Sequence, residues 1–394
     1  MDEEDPIVIS STSSGAFGTV YKYTSSSSPS TKLATKVCDL FQQIVGEEKG
    51  TKTFIAENLR ELCFYSKISK HDLIKKYSTL LQSNSIELVN NKVFITMPDA
   101  GMPLFQNKVV TSLPSENQFM IAHKIWLQFC EALIPLHDNK ISHGDIKLEN
   151  VLLTTKNRNL HLIDFGGIHF PAKVEKDKFL NFSTTPNYNA PECRFLKIAD
   201  QEFDSRPNDI WSMGIVMFEY LCGKIHDNIL PMVHYYDDQD KWSSFVSKSV
   251  NDACVARKLD FKSTSLFQCI ISMLQIDPNK RPCVRHLYQS INQTNTEYPI
   301  QFSGIFSSCY DSSIVQEKCV SKYIEIKNSK HDGAADNIKK IKKINKVCKI
   351  IVHSLFYDFD FKTPSTRRPF YLTDKEQLLA CDIIQTLDFD LLLE

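Results

Sequence analysis

Short apolar runs bounded by turn residues fill the first hundred positions and predict strands. Pro6-Ile7-Val8-Ile9 is the first, a second run extends to Tyr23, and Leu33-Ala34-Thr35-Lys36-Val37 is the next. Ile86-Glu87-Leu88-Val89 and Val93-Phe94-Ile95-Thr96-Met97 flank Asn90-Asn91 and predict a hairpin. Between these runs, residues 54–68 carry apolar positions at helical spacing. Pro98-Asp99-Ala100-Gly101 breaks the pattern. Beyond it an apolar helix is expected over 121–136, then two short strands, Val151-Leu152-Leu153 and Leu160-His161-Leu162-Ile163. Residues 209–218 are apolar on nearly every face, which predicts a helix buried in a large core.

The last hundred residues have helical periodicity of their own. Ile338, Ile341, Ile344, Val347, Ile351 and Leu355 fall on one stripe, with Lys339, Lys340, Lys342, Lys343, Lys346 and Lys349 filling much of the rest. That is an amphipathic helix with a solvated basic face, or a patch for nuclear import or an acidic partner. Thr373-Asp374-Lys375-Glu376 is a capping box opening a second helix through Leu387, and residues 314–326 suggest a third. Three short helices make a marginal core alone. They are expected to pack on the rest of the chain or on a partner.

With 394 residues the chain has room for two or three domains, or for one two-lobed domain with an appendage. A net charge of −1 gives it no global attraction to nucleic acid or membrane. Its twelve cysteines are scattered singly, without Cys-x-x-Cys spacing, as expected of free thiols in a reducing compartment. Met1-Asp2-Glu3-Glu4-Asp5 is acidic and lacks the apolar run of a signal peptide, and no segment approaches 18 uninterrupted apolar residues. The expected location is the cytoplasm, with the nucleus left open.

The chemistry concentrates in Ile141-Ser142-His143-Gly144-Asp145-Ile146-Lys147-Leu148-Glu149-Asn150. A carboxylate can accept a hydroxyl proton, an ammonium can sit on a transferring phosphate, and an amide oxygen can hold a metal. The second strand then ends in Asp164-Phe165-Gly166, where glycine lets the backbone fold a carboxylate towards Mg²⁺. Upstream, Gly15 and Gly18 stand three apart between strands, which permits a hairpin whose N–H groups approach phosphate oxygens.

With these motifs in view, the chain resembles the eukaryotic protein kinases. His143-Gly144-Asp145 stands for the family's His-Arg-Asp, Lys147 and Asn150 complete its catalytic loop, and Asp164-Phe165-Gly166 is its metal-binding motif. The resemblance implies an α+β, two-lobed kinase fold over residues 5–291, with an N-lobe to 97, a hinge over 98–103 and a C-lobe over 104–291. Residues 292–394 would form the helical extension, expected to dock on the large lobe or on a partner, with a cyclin-like regulatory unit as a further reading. It also implies ATP and Mg²⁺ as cofactors. Ser13, Ser14, Gly15, Ala16, Phe17 and Gly18 form the glycine-rich loop, with Ser13 replacing its first glycine. Val20, Ala34 and Leu152 lie against adenine, Met97 screens the back of its pocket, and backbone groups of Asp99 and Ala100 contact it. Lys36 grips the phosphates and is locked by a helix glutamate. In the family the residue four beyond that glutamate packs into an apolar spine; from Glu61 it is Tyr65, from Glu57 it is Glu61, a charge, so the resemblance favours Glu61.

Asp145 then orients and deprotonates the acceptor hydroxyl, Lys147 neutralises the phosphoryl group, and Asn150 and Asp164 hold metal. Lys147 is the serine/threonine pattern, so protein serine and threonine hydroxyls are the expected substrates. Ser183, Thr184 and Thr185 belong to an activation segment closed by Ala190-Pro191-Glu192, whose Glu192 pairs with Arg281. Gly144 stands where most members of the family have a phosphate-clamping arginine, and Lys173, Lys176 and Lys178 are not fixed next to Asp145. Activity is therefore expected to be independent of a phosphate on this segment, with control through a partner or the C-terminal extension. His-Gly-Asp also resembles small-molecule phosphotransferases of the aminoglycoside and choline kinase type. A catalytically inactive scaffold is the non-enzyme alternative.

Overall fold

The computed structural model describes residues 7–15, 18–25, 31–41, 48–70, 79–80, 82–104, 115–154, 158–170, 185, 187–195, 204–222, 239–256, 265–292, 312–328, 337–356 and 372–387. Five antiparallel strands come first: β1 (Ile7–Gly15), β2 (Gly18–Ser25), β3 (Lys32–Asp39), β4 (Ser85–Val89) and β5 (Lys92–Pro98), in the order β1-β2-β3-β5-β4. Helix α1 (Glu48–Ser66) is inserted between β3 and β4. The strand register decides which side chains share a face. Val20 pairs with Lys36 and Lys22 with Ala34, while Ala34 also faces Met97. Cross-strand partners share a face and side chains alternate, so these five residues project to one side of the sheet. Asn90 turns the β4–β5 hairpin with φ 56°, which asparagine tolerates better than most residues.

The chain then passes through β6 (Met102–Pro103) into α2 (Ser115–Asp138), and β7 (Val151–Leu153) and β8 (Leu160–Leu162) join β6 in a small second sheet. The large lobe continues with α3 (Pro191–Phe195), α4 (Arg206–Cys222), α5 (Gln239–Ala256), α6 (Ser265–Met273) and α7 (Val284–Asn292). Helix α4 is the buried helix its composition requires: Ile210, Trp211, Met213, Ile215, Val216 and Met217 are all inside. Trp211 stacks on Trp242 of α5 at 5.3 Å, and the Trp242 indole N–H donates to the Leu274 carbonyl at 2.6 Å. No helix among the described residues is long and apolar enough to cross a membrane.

Three further helices follow, α8 (Ser312–Asn328), α9 (Asn337–Phe356) and α10 (Asp374–Leu387). At the start of α10, the Thr373 N–H donates to the Glu376 carboxylate at 2.9 Å, the reach-back half of the capping box. The three helices pack on one another, but their position corrects the expectation of docking on the large lobe. Helix α9 lies against α1, and α10 is bonded to the β4–β5 turn, so the extension sits on the small lobe. The physical reason lies in α1: every residue from Ala56 to Tyr65 is buried, so this helix needs cover on its outer side as well as its inner one.

Candidate active site

A cavity of about 500 Å³ lies between the lobes. Its roof comes from the sheet face set by the register, Val20, Lys22, Ala34, Lys36 and Met97, with Ser13 and Gly18 at the edge. Its floor is Asn150, Leu152, Ile163 and Asp164, and Pro98, Asp99 and Ala100 line the hinge side. Gly15 pairs with Gly18 across the hairpin. Gly18 has φ +130°, and a Cβ there would stand 2.4 Å from the Val37 carbonyl oxygen, so only glycine fits. Ala16, Phe17, Ser183, Thr184 and the lysines at 173, 176 and 178 lie outside the described residues. Ser14 is in β1, opposite Thr19.

Lys36 sits at the centre of the cleft, its Nζ 2.5 Å from Glu61 Oε2 and 3.5 Å from Asp164 Oδ1. Burial alone would depress the lysine's pKa, but the fields of Glu61 and Asp164 and the bond to Glu61 reverse this and raise it. Lys36 therefore stays charged. Glu61, not Glu57, is the partner. Tyr65, one turn on, is buried and meets the Phe165 ring edge-on at 5.6 Å, while Phe64 stacks on Phe165 at 3.5 Å. Phe165 is thus held beneath α1, which turns Asp164 into the cleft with left-handed φ 67° and ψ 73°. Burial opposes its charge, yet Lys36 and Lys147 together keep its carboxyl below the usual range.

The catalytic loop hangs from one buried carboxylate. Asp209, in the first turn of α4, accepts from the N–H groups of His143 at 2.7 Å and Gly144 at 2.9 Å, and from His137 Nε2 at 2.9 Å. Its role was not read from the sequence. The signal was a charged residue heading an otherwise apolar helix. His143 donates from Nε2 to the Ile163 carbonyl at 3.0 Å and accepts at Nδ1 from the Asp145 N–H at 3.3 Å. These two bonds fix the neutral tautomer, and burial, outweighing the nearby carboxylates, holds its pKa down.

Asp145 stands beside the cavity, tied to its floor through Asn150. Lys147 Nζ lies 2.6 Å from its Oδ2, and Asn150 Nδ2 donates to the same carboxylate at 3.2 Å and to the Asp145 backbone carbonyl at 2.9 Å. Burial disfavours the Lys147 charge, but Asp145, Asp164 and Glu149 more than compensate and raise its pKa. Asn150 and Asp164 line one cavity and offer hard oxygen donors of the kind Mg²⁺ takes. Among the described residues, no cluster of three His, Cys, Asp or Glu could form a purely protein-held metal site. A magnesium ion bound here would therefore complete its shell with phosphate and water.

Two features at the hinge differ from the sequence reading. The Asp99 N–H donates to the Lys32 carbonyl at 3.0 Å, so of this residue's backbone groups only the carbonyl can serve a ligand. Sequence reading also missed Lys22, whose Nζ reaches Asp99 Oδ1 at 2.7 Å and the Gly101 carbonyl at 2.6 Å. A lysine alternating with Val20 on a strand gives no hint of such a clasp without the register. Further out, Glu192 and Arg281 form a two-pronged ion pair at 2.5 and 2.8 Å.

The protein kinase domain family model matches residues 9–291. The chain is 31% identical over 170 residues to the serine/threonine-protein kinase ppk25 of Schizosaccharomyces pombe, covering 41% of this chain and 34% of that protein. It is 28% identical over 245 residues to CBL-interacting protein kinase 31 of Oryza sativa subsp. japonica, covering 60% and 50%. Serine/threonine-protein kinase SKS1 of Saccharomyces cerevisiae is 27% identical over 266 residues, covering 63% and 49%. The chain thus spans between a third and a half of the length of these relatives. With the family matched over most of its length, and its cleft built around Lys36, Asp145 and Asp164, this chain belongs to the protein kinase family.

Proposed function

We propose that the chain is a serine/threonine protein kinase that transfers the γ-phosphoryl group of Mg·ATP to protein hydroxyls. The observation that carries this reading is the convergence of two sets of groups on one cleft. Lys36, Glu61 and Asp164 form one set, and Asp145, Lys147 and Asn150 the other. In the proposed reaction the acceptor hydroxyl hydrogen-bonds to the Asp145 carboxylate, which aligns its oxygen and takes its proton. The new oxygen–phosphorus bond forms as the bond from phosphorus to the ADP oxygen breaks. Lys147 supports the charge on the transferring group, and Lys36 holds the α- and β-phosphates. Magnesium held by Asn150 and Asp164 would neutralise phosphate charge. Catalysis on this scheme is positioning and electrostatics.

The family match favours protein over small-molecule substrates, since Glu192 and Arg281 fasten a segment that small-molecule phosphotransferases lack. The inactive-scaffold alternative is tested directly. Purified chain, radiolabelled ATP and a serine/threonine peptide library should give labelled peptide, and Asp145→Asn should label at least about a hundredfold more slowly. Equal labelling by wild type and Asp145→Asn would sink the assignment.

A further inference from the structure

Helix α1 carries Glu61 into the cleft, and its surroundings show what keeps it there. Its ten consecutive residues from Ala56 to Tyr65 are buried, Glu57, Asn58 and Arg60 among them. On the inner side Phe64 stacks on Phe165, and Gly166 lies so close to Glu57 that a Cβ on the glycine would stand 3.1 Å from the Glu57 Cβ. On the outer side lies α9, in which Val347, Cys348, Ile350, Ile351 and Val352 are all buried. Such a run cannot lie on a single stripe, so α9 is covered on more than one face, by α1 and by α8 and α10.

The assembly is also fastened. The Asn91 amide donates to Gln377 Oε1 at 2.9 Å, Cys381 Sγ to the Asn90 carbonyl at 3.2 Å, and the Gln385 amide to the Leu88 carbonyl at 3.0 Å. The Leu40 N–H, just past β3, donates to the Asn91 carbonyl at 2.7 Å. The extension thus grips α1 from outside and is anchored to the same sheet that carries Lys36.

We infer that helices α8–α10 are a positioning element acting in cis: by covering the outer face of α1 they hold Glu61 on Lys36 and Phe165 beneath α1. The inference rests on the kinase reading for its catalytic consequence and on packing for its structural one. The device suits a chain whose Gly144 offers no side chain to clamp an activation-segment phosphate.

The test uses the full chain with Val347→Ala/Ile351→Ala, which thins the α9 core without adding charge. Readouts are kcat and ATP KM for peptide phosphorylation, hydrogen exchange in residues 56–65, and tryptophan emission. All three tryptophans, Trp126, Trp211 and Trp242, lie buried in the large lobe, so emission reports whether that lobe stays folded. The expected result is a kcat lowered at least fivefold, ATP KM changed by less than threefold, faster exchange in α1 and unchanged emission. A kcat within fivefold of wild type, or a loss of kcat without faster exchange in α1, overturns the inference. If emission shifts, Gln377→Ala/Gln385→Ala, which removes no buried apolar group, decides by the same readouts at a twofold threshold. Exchange needs no substrate. An inactive wild type would count against the kinase reading, and the coupling of the extension to α1 would then stand or fall on exchange alone.

Discussion

Thr185 places both its backbone N–H and its hydroxyl on Oδ1 of Asp145, at 3.1 and 3.0 Å, while its oxygen accepts from Lys147 Nζ at 3.1 Å. Thr185 therefore closes directly on the proposed catalytic base and on the cation beside it. Thr185→Val should lower kcat about tenfold or more, the scale of one lost hydrogen bond to a charged group. ATP affinity should change little, because Thr185 is outside the nucleotide cavity. Thr185→Ser should retain most of the rate. Steady-state kinetics on one peptide, with ATP binding by calorimetry, makes the comparison.

Arg281 uses all five of its N–H donors. Besides Glu192 it donates to the carbonyls of Gln275, Pro207 and Ile276 at 2.8, 3.0 and 3.0 Å, and it lies over the Trp211 ring at 5.0 Å. The side chain is 1% exposed. An ammonium has three donors and no plane to match this set. Arg281→Lys should therefore destabilise the large lobe nearly as much as Arg281→Ala, by about 3 kcal/mol, as for loss of one partner of a buried pair. Urea titration followed by tryptophan emission measures both. A lysine variant within about 1 kcal/mol of wild type would contradict the geometry.

Much of this site was legible because it is local. Asp145, Lys147 and Asn150 share one loop, Asp164 ends one strand, and their spacing alone suggests phosphate chemistry. Glu61 could be separated from Glu57 because the kinase resemblance asks for an apolar residue one helical turn on; that residue is Tyr65, and it does meet Phe165. What was not legible depends on long-range register. Lys22 and Asp99 are 77 residues apart, and Asp209 is 66 from His143. The placement of α8–α10 failed for a related reason. An amphipathic stripe states that it needs burial, not which face elsewhere also needs it. The partner surface was α1, whose buried outer side shows only once the helix is seen to be enclosed.

The extension should loosen in acid. Lys346 Nζ lies 2.7 Å from Glu376, and Asp382 is bonded to Lys327 at 2.8 Å and Tyr323 at 2.5 Å. Partial burial opposes both charges, but the partners prevail and hold both carboxyls below their ordinary values. A depressed folded pKa contributes stability that is complete above the unfolded value and lost as pH falls through the folded one. Exchange protection in α8–α10 should thus be constant from pH 7 to about 5 and fall below about 4.3, the ordinary glutamate value. Glu376→Gln should flatten part of that fall. An acid profile identical in the variant would show that this pair does not contribute.

Gly144 is the position that sets expectations for regulation. Its φ is +80°, and an added Cβ would stand 2.0 Å from the Gly167 carbonyl oxygen and 3.0 Å from the His169 ring. The glycine thus relieves crowding between the catalytic loop and the turn after Asp164, and it leaves no side chain for a phosphate. Restoring the family's arginine should not restore a clamp. Gly144→Arg would strain a left-handed position by about 1–2 kcal/mol before any clash is counted. It would also push Gly167 away from Asp145, so both melting temperature and kcat should fall. Phosphatase treatment of wild type, and Ser183→Ala/Thr184→Ala, should each leave kcat within tenfold of the untreated chain, because α1 is held from its outer side instead. A larger loss in both, with ATP binding intact, would mean that a phosphate on this segment controls the site despite Gly144. A Gly144→Arg chain that melts with wild type and gains activity on phosphorylation would point the same way.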